Sequence, residues 1–527
     1  MPVASSPFVA ALTRRTFLRG AGATLGLALA GCAGGALRAR PRFADDPFSL
    51  GVASGSPVSD GFVLWTRLAP RPMEPGGGMP AETVEVSWVV AEDESLSRVV
   101  ARGAATASPE LAHSVHVELR GLAPGRVYFY RFTAGDAASR VGRTRTAPTV
   151  GAPLARLRLA FASCQHYEQG HFNPYRPMVD DDDLDLVLHL GDYIYEVPSF
   201  GDVVRRHEGP EPRSLDDYRR RHALYKTDPA LQAAHAALPW VVTWDDHEVE
   251  NDYAADHSSD GEPEASFHAR RAAAYQAYYE HMPLWGGATP RGAEMLLYQR
   301  LPFGDLAEIF VLDGRQYRSP QACASPGKLG GHLVEGCRER LDPARTMLGD
   351  AQEAWLLRGL ALSGARWNVL AQDVLMAQLD QKIGPGQAFW TDGWDGYPAE
   401  RARLMAFLEE RRIANPVVLG GDIHSFWVTD LKRDFDRPES PTVATEFVGT
   451  SITSAGVPYE RFAAFLPENP HVKLFESRRR GYVRCDITPE RWTTDLRVVE
   501  SVRTPVSPVS TLATFVVENG RAGAQRA

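Results

Sequence analysis

Four apolar segments of this 527-residue sequence each lead into side chains that bind metal ions. The side chains that follow them are Cys164 and His166, Asp192 and Tyr195, residues 245–248 (Asp-Asp-His-Glu), and Asp422 and His424. Thiolate and phenolate ligands together suit a hard, oxidised iron ion, whereas carboxylate and amide oxygens suit calcium or another hard divalent ion. Two ions roughly 3.5–4 Å apart hold both oxygens of an in-line displacement. The pattern therefore predicts a dinuclear metal site.

The four segments have the character of buried strands in an α/β fold. They span 157–162, 186–190, 240–244 and 416–419, and helical patterns cover 265–281, 350–362 and 399–412. In open α/β sheets, ligands bind at the carboxyl ends of the strands. One such strand end can arise by chance, but four predict that the side chains meet in one site.

Residues 47–150 have a different pattern, with short alternating strands such as 62–65, 84–88 and 114–119 between turn residues. The stretch 122–131 resembles the corner of a fibronectin-like β-sandwich, in which a tyrosine hydroxyl is bonded to the backbone. No catalytic cluster is visible there, so a supporting domain is expected. We place a linker at 32–46, the catalytic α/β domain at 151–505 and a partly loose tail at 506–527.

The N-terminus has the features of an export signal. Arg14, Arg15 and Arg19 precede a short apolar run at 20–30, as in secretory signals. The paired arginines resemble a twin-arginine signal, which would make the twin-arginine export machinery a partner. The run ends at Cys32 in a sequence that resembles a bacterial lipobox; an ordinary signal with a chance cysteine is the alternative. We expect residues 1–31 to be removed and the protein to be periplasmic or at the cell surface, anchored to the membrane only by a lipid on Cys32.

The other cysteines have separate expected roles. Cys323 and Cys337 flank a glycine-rich segment and are candidates for a disulfide, which export permits. Cys485 is expected to be a small buried apolar residue.

The strand-end motifs resemble those of the calcineurin-like metallophosphoesterases, whose ligand blocks read Asp-x-His, Gly-Asp, Gly-Asn-His-Glu and Gly-His-x-His. The segments here read Cys-x-His at 164–166, Gly-Asp at 191–192, Asp-Asp-His-Glu at 245–248 and Gly-Asp-Ile-His at 421–424. These departures, the fibronectin-like domain, the twin-arginine signal and the motif Trp-Asp-Gly-Tyr-Pro at 394–398 are typical of the alkaline phosphatase D family. The resemblance implies a four-layer α/β sandwich for the catalytic domain. Residues 394–397, from Trp394 to Tyr397, are candidates for lining the substrate mouth; the alternative is a turn that starts the next helix.

The resemblance also implies which residues hold the metals. In that family a ferric ion is bound by thiolate and phenolate, with calcium beside it. This implies Cys164 and Tyr195 on Fe3+ and Asp192 as a bridging ligand. The same correspondence gives Asn251 and Asp422 on Ca2+ or another second ion, with Asp246, His424, His166 and Asp252 as further candidates.

The function implied is hydrolysis of a small phosphate monoester or diester by a metal-bound hydroxide, with His247 protonating the leaving alkoxide. A phospholipase D-type phosphodiesterase has the same motifs, and a non-catalytic surface binding protein is a less favoured alternative. The formal charge of −9, which becomes −12 once the three arginines of residues 1–31 are removed, argues against nucleic-acid binding by a basic surface. Bound cations would then supply the attraction for phosphate.

Overall fold

The computed structural model describes residues 41–180, 183–199, 201–325, 327 and 329–527. The predicted signal peptide and Cys32 lie outside these residues. Pro41–Ala527 forms one compact unit. No helix in the described part of the chain is both long and apolar enough to cross a bilayer.

Helices and strands alternate through most of the chain. The helices are α1 Tyr175–Asp180, α2 Leu215–Lys226, α3 Pro229–Ala237, α4 Glu264–His281, α5 Gly349–Leu362, α6 Pro398–Glu410 and α7 Tyr459–Ala463. The strands are β1 Val52–Val58, β2 Gly61–Arg67, β3 Val84–Ala91, β4 Val99–Ala107, β5 Ser114–Leu119, β6 Val127–Ala134, β7 Ala137–Ala138, β8 Gly142–Arg145, β9 Leu157–Ala162, β10 Leu186–Leu190, β11 Pro239–Thr243, β12 Gln299–Phe303, β13 Ala307–Val311, β14 Leu333–Glu335, β15 Trp367–Ala371, β16 Ala388–Trp390, β17 Pro416–Gly420, β18 Phe426–Lys432, β19 Thr442–Val448, β20 Val472–Glu476, β21 Arg480–Ile487, β22 Arg491–Val499, β23 Val509–Glu518 and β24 Gln525–Arg526. The mixed α/β class is confirmed, and the strands and helices predicted around the motifs form where expected.

Two large sheets form the centre of the protein. One has ten strands in the order β24-β23-β22-β21-β9-β10-β11-β1-β2-β5, and the other has seven in the order β12-β13-β15-β17-β19-β18-β20. Along β9, Leu159 and Phe161 point into the core between the sheets, while Ala160 packs with helices α1–α4 on the outer face. Helices α5 and α6 cover the outer face of the seven-stranded sheet. Buried strands with helices on both outer faces explain the apolar runs in the sequence.

The N-terminal strands form a β-sandwich that shares a sheet with the rest of the protein. Strands β3, β4, β6, β7 and β8 form a separate sheet that packs on β1, β2 and β5. However, β1 pairs in parallel with β11, with Ser54 opposite Pro239. The Tyr128 hydroxyl accepts a hydrogen bond from Ala123 N (3.1 Å) and donates one to Ala123 O (3.3 Å). This is the type of tie to the backbone that the sequence predicted.

The C-terminal residues differ from the expected loose tail. Strand β23 pairs along its length with β22, and β24 adds to its other edge. Alternate residues Ala513, Phe515 and Val517 lie in the core between the sheets. Thr514 and Val516 between them are half-buried on the other face, and burial of every second residue is typical of a strand.

Candidate metal centre

The four strand-end motifs meet at one end of the two sheets. Strands β9, β10 and β11 are parallel neighbours, so the chain leaves all three in the same direction toward Cys164, Asp192 and Asp246. The end of β17 in the other sheet joins them, because a Cβ placed on Gly421 would lie 2.7 Å from Ser163 Oγ. Two sheets thus contribute to one site, as the strand-end rule predicts.

Several candidate residues have backbone conformations that are unusual for residues with side chains. Their φ angles are Cys164 59°, Asp192 56°, Asp252 57°, Asp422 65° and His424 51°. Left-handed conformations cost free energy in such residues and concentrate at functional sites. The turns therefore direct these side chains at the expense of local stability.

Gly191 lies where the loops that carry Asp192 and Asp245 pack closely together. Its φ is 101°, and a Cβ there would lie 2.5 Å from Asp245 Cβ. Any other residue would push the Asp192 and Asp245 loops apart. Glu248 joins the same loops, accepting hydrogen bonds from Asp192 N (3.2 Å) and Asp245 N (2.9 Å).

The hydroxyl of Tyr195 contacts three other side chains of the site. It donates to Asp192 Oδ2 (2.7 Å), lies 2.9 Å from His424 Nε2 and accepts from Ser454 Oγ (2.8 Å). Cys164, Asp192 and His424 each place a ligand atom within 4.8 Å of the others. Thiol, phenol, carboxylate and imidazole groups are therefore collected within the reach of one ion.

His424 is oriented by its other ring nitrogen. Nδ1 lies 2.9 Å from the carbonyl oxygen of Ala455, which only accepts hydrogen bonds, so Nδ1 carries the proton. In the neutral ring, Nε2 then presents its lone pair toward Tyr195 and Asp192. This is the arrangement in which histidine binds metals.

His247 forms a buried pair with Glu196. Its Nδ1 donates to Glu196 Oε2 over 2.7 Å, and its ring lies 4.1 Å from that of Tyr195. Burial favours the neutral ring, but Glu196, Asp192 and Asp246 outweigh it and raise the pKa of His247 well above its ordinary value. His247 also shares a group of ligand atoms with Asp192 and Asp246. The geometry suits a side chain that donates a proton or binds a phosphate oxygen.

A second cluster consists of Asp246, Asp252 and Asp392, whose carboxylates offer oxygens within 4.8 Å of one another. The backbone N of Asp252 donates to Asp246 Oδ2 (2.7 Å). Burial and the charge of Asp392 raise the pKa of Asp252 to about 7. Arg315 lies fully buried beside them, with its guanidinium bonded to Asp245 (2.5 Å) and Asp392 (2.9 Å).

The residues present fit bound cations. The site's carboxylates outnumber its cationic side chains: the former are Asp192, Asp245, Asp246, Asp252, Asp373, Asp392, Asp422, Glu196 and Glu248, and the latter are Arg315, Arg318, Arg480 and His247. Asp192 Oδ1, Asp245 Oδ2 and both oxygens of Asp373 are buried with no hydrogen-bond partner among the described residues. Burial and the charge of Asp192 raise the pKa of the Cys164 thiol, so a cation that bound there would displace its proton.

Three predicted ligands are less directly placed. Burial and the charge of Asp246 raise the pKa of Asp422, but Asp422 is in none of the three described groups of ligand atoms. Asn251 is exposed, and its backbone N donates to Glu196 Oε1 (2.7 Å). His166 is buried with Nδ1 accepting from Glu168 N (3.2 Å) and its ring 4.6 Å from that of Tyr195. His166 therefore supports the phenol ring.

Trp394 and Tyr397 do not line a mouth, because both are fully buried. Trp394 Nε1 donates to Gln372 Oε1, and the Tyr397 hydroxyl donates to Ser319 O. Their apolar rings pack between α6 and the seven-stranded sheet.

Sequence reasoning missed several residues that hold the site together. They are Glu196, Arg315, Arg318, Asp373, Asp392, Ser454 and Arg480. Asp373 follows the apolar strand β15 in the same way as the four chosen motifs follow theirs, so the same signal would have found it. Arg480 is the first residue of strand β21, and the remaining residues come from loops whose sequences carry no such pattern.

A disulfide joins Cys323 and Cys337, whose Cα atoms are 6.2 Å apart. It closes the loop that carries Gly331, whose backbone N donates to Asp252 Oδ2 (2.8 Å). Cys485 is buried, as predicted, and Cys164 is buried within the site.

The fold and the site define an α/β protein with a polar centre able to hold cations. The PhoD-like phosphatase family matches residues 159–496, and the N-terminal domain of PhoD-like phosphatases matches residues 34–148. Alkaline phosphatase D of Bacillus subtilis (strain 168) is 47% identical over 527 residues, covering 97% of this chain and 89% of that protein. A solved structure described as "Structure of PhoD" aligns with a TM-score of 0.88 and 47% identity, covering 92% of this chain and 93% of that one.

This chain belongs to the PhoD-like phosphatase family, and it is a phosphoric ester hydrolase. The family predicted from the strand-end motifs is thereby confirmed.

Proposed function

We propose that this enzyme hydrolyses phosphate esters at a dinuclear centre of ferric iron and calcium type. The observation that carries the proposal is the Tyr195 hydroxyl, which is bonded to Asp192 and lies beside His424 Nε2. Cys164 completes this group of donors. Thiolate and phenolate favour a trivalent, strongly acidic ion over calcium.

Two sets of residues around Asp192 would hold the two ions. Cys164, Tyr195 and His424 would hold iron, and Asp192 would bridge. Asp246, Asn251, Asp252 and Asp422 supply oxygen ligands of the kind that calcium prefers, with Asp392 beside them. Bound there, the ions would neutralise charge on phosphate oxygens and lower the pKa of water.

His247 is the proposed proton donor to the leaving oxygen. Glu196 fixes the ring through Nδ1, so Nε2 is the nitrogen available to a substrate. The charge of Glu196 also supports the protonated ring. His247 can then bind a phosphate oxygen before it gives up its proton.

We also propose an assignment for each domain. The helix–sheet–sheet–helix packing supports assignment of residues 151–505 as a metallophosphoesterase four-layer sandwich. The hydrogen bonds between the Tyr128 hydroxyl and the backbone support a fibronectin-like module at 47–150.

For the N-terminus we propose a twin-arginine signal with Arg14 and Arg15, followed by lipidation at Cys32 and location in the periplasm or at the cell surface. Retention of an Arg14→Lys, Arg15→Lys precursor in the cytoplasm, and mass spectrometry of the mature N-terminus, test these points.

The enzymatic proposal is tested with purified protein, elemental analysis and three substrates: p-nitrophenyl phosphate, bis-p-nitrophenyl phosphate and phosphatidylcholine. We expect iron and calcium in the protein, loss of turnover on chelation and recovery on re-addition. Faster cleavage of phosphatidylcholine than of the nitrophenyl esters would favour the phospholipase D-type alternative. Asp192→Asn should abolish metal binding and turnover, whereas Asp216→Asn, on an exposed helical surface, should change neither. Full turnover by metal-free protein would overturn the proposal.

A further inference from the structure

Strands β14 and β16 form a two-stranded sheet that exposes apolar side chains beside the acid cluster. Leu333 and Trp390 are opposite each other in this antiparallel pair and are exposed by 40% and 41%. Opposite residues project from the same face. The other face is anchored by Phe389, which is buried under Arg340.

We call Leu333 and Trp390 the apolar rim. A glycine pair connects this rim to the acid cluster. A Cβ on Gly331 would lie 2.7 Å from Asp392 Cβ and 2.8 Å from Trp390 Cζ2, and one on Gly330 would lie 2.9 Å from Asp252 Cβ. Only glycine allows the indole and the two aspartates to approach the same short backbone segment so closely. The rim is therefore separated from the carboxylates by no more than a glycine.

Gly331 and His332, beside the rim, are held in place. The Cys323–Cys337 disulfide closes the loop that carries them, Gly331 N donates to Asp252 Oδ2, and Thr391 N donates to His332 O (3.1 Å). A surface held in this way loses little conformational entropy when a ligand binds.

Exposed apolar side chains that cluster next to a charged site are unusual on a soluble surface and commonly mark a binding site. A ligand that satisfies both regions has an anionic head for the centre and an apolar group for the rim. A phosphate ester with an alkyl or aryl substituent has this shape. Trp390 offers a broad, rigid surface for such a group.

We propose that the apolar rim binds the organic substituent of the phosphate ester, so that this enzyme prefers esters with extended alkyl or aryl groups. This inference rests on the proposed function, because it assumes that the phosphate occupies the centre formed around Asp192 and Asp246. Trp390 is the specificity-determining residue, with Leu333 beside it.

The test compares ethyl phosphate with n-octyl phosphate, kept below its micelle-forming concentration. Their alcohols have nearly equal acidity, so the chemical step is matched. Wild-type enzyme should have the higher kcat/KM on octyl phosphate. Trp390→Ala should lower kcat/KM on octyl phosphate about fivefold, and on ethyl phosphate less than about twofold, because an indole contact with an alkyl chain is lost. Leu333→Ser should act in the same direction, and Trp390→Phe should retain most of the preference.

Leu362→Ala is the matched control, because Leu362 is exposed by 76% at the end of α5. It should leave both esters unaffected. Thermal melts of each variant identify any that fail to fold. Equal losses on the two esters, or none, would overturn the proposal. Weaker binding of Trp390→Ala to phosphatidylcholine vesicles with unchanged ester preference would also overturn it, assigning the rim to a lipid surface. If wild-type protein hydrolyses neither ester nor the nitrophenyl substrates, the proposed function itself has failed.

Discussion

Glu196 accepts a hydrogen bond from Nδ1 of His247 over 2.7 Å, in a site where Glu196 is almost fully buried. The two residues are 51 positions apart, and Glu196 also accepts from Asn251 N, so one carboxylate fixes both the ring and the chain that follows it. Glu196 is therefore a positioning residue for the proposed proton donor.

Replacing Glu196 by Gln should impair cleavage of esters with poor leaving groups most. An alkoxide needs a proton as it leaves, whereas p-nitrophenolate hardly does, so kcat should fall roughly tenfold or more for an alkyl phosphate and much less for p-nitrophenyl phosphate. Steady-state kinetics on both substrates check this. Glu353→Gln, at a half-buried pair with Arg403 on α5, is the control and should behave as wild type. An equal loss on both substrates would show that Glu196 acts on something other than proton transfer.

Cys164→Ser should lose iron and most activity while the protein stays folded. Serine stays protonated near neutral pH and is a poor substitute for thiolate, so we expect iron content to fall by about tenfold or more. Cys485→Ser offers a buried cysteine away from the site. That variant should keep its metals and lower stability by about 1–3 kcal/mol, because a hydroxyl is buried among apolar groups. Elemental analysis and thermal melts separate the two, and a Cys164→Ser enzyme with full iron would remove Cys164 from the centre.

The stability of the enzyme should depend on pH through Lys226. This residue is buried against the rings of Trp65 (4.4 Å) and Tyr193 (5.3 Å), and burial lowers its pKa from 10.5 to about 7. Between these pH values the unfolded chain binds a proton that the folded protein does not, so stability rises with pH by at most roughly 1.4 kcal/mol per unit. Below pH 7 both states are protonated, and the cost of burying the charge is present in full.

Lys226→Met should abolish this contribution. Methionine fills a similar volume without a charge, so its advantage in free energy of unfolding over wild type should be largest at pH 7 and shrink toward pH 10. Denaturant unfolding at pH 7, 8 and 9 measures it. Lys432→Met, which removes a lysine bonded to Ser440 O, should give no such trend. Parallel pH profiles for wild type and Lys226→Met would contradict the assignment.

Tyr128→Phe should destabilise the N-terminal sandwich without affecting catalysis. The change removes both hydrogen bonds between the hydroxyl and the backbone of Ala123, at a cost of about 0.5–1.5 kcal/mol, because Ala123 is exposed and its carbonyl keeps the hydrogen bond from Thr146 Oγ1. The melting temperature should fall while kcat and KM on p-nitrophenyl phosphate stay at wild-type values. A large loss of turnover with unchanged stability would show that the sandwich takes part in the reaction.

The site residues that follow the buried strands could be identified from the sequence alone. Buried parallel strands appear in a sequence as apolar runs, and the residues after each run lie at the same edge of a sheet. This pattern identified Cys164, Asp192, Asp246 and Asp422. The same local logic placed α4, α5 and α6. It overlooked β23, because the apolar run from Leu512 to Val517 lies among the small and polar residues that follow Pro505.

The groups distant in sequence that complete the centre could be identified only from the tertiary structure. Arg315 comes from the loop after β13 and Asp392 from the loop after β16, and neither has a motif around it. Their importance comes from burial, since a carboxylate removed from water needs a counter-charge that only the folded chain brings near. The exposure of Trp390 and the burial of Trp394, four residues apart, likewise depend on which face of the chain meets α6 and the seven-stranded sheet. The local sequence indicates where a strand runs and in which direction, whereas the pairing of charged side chains from different loops depends on the whole fold.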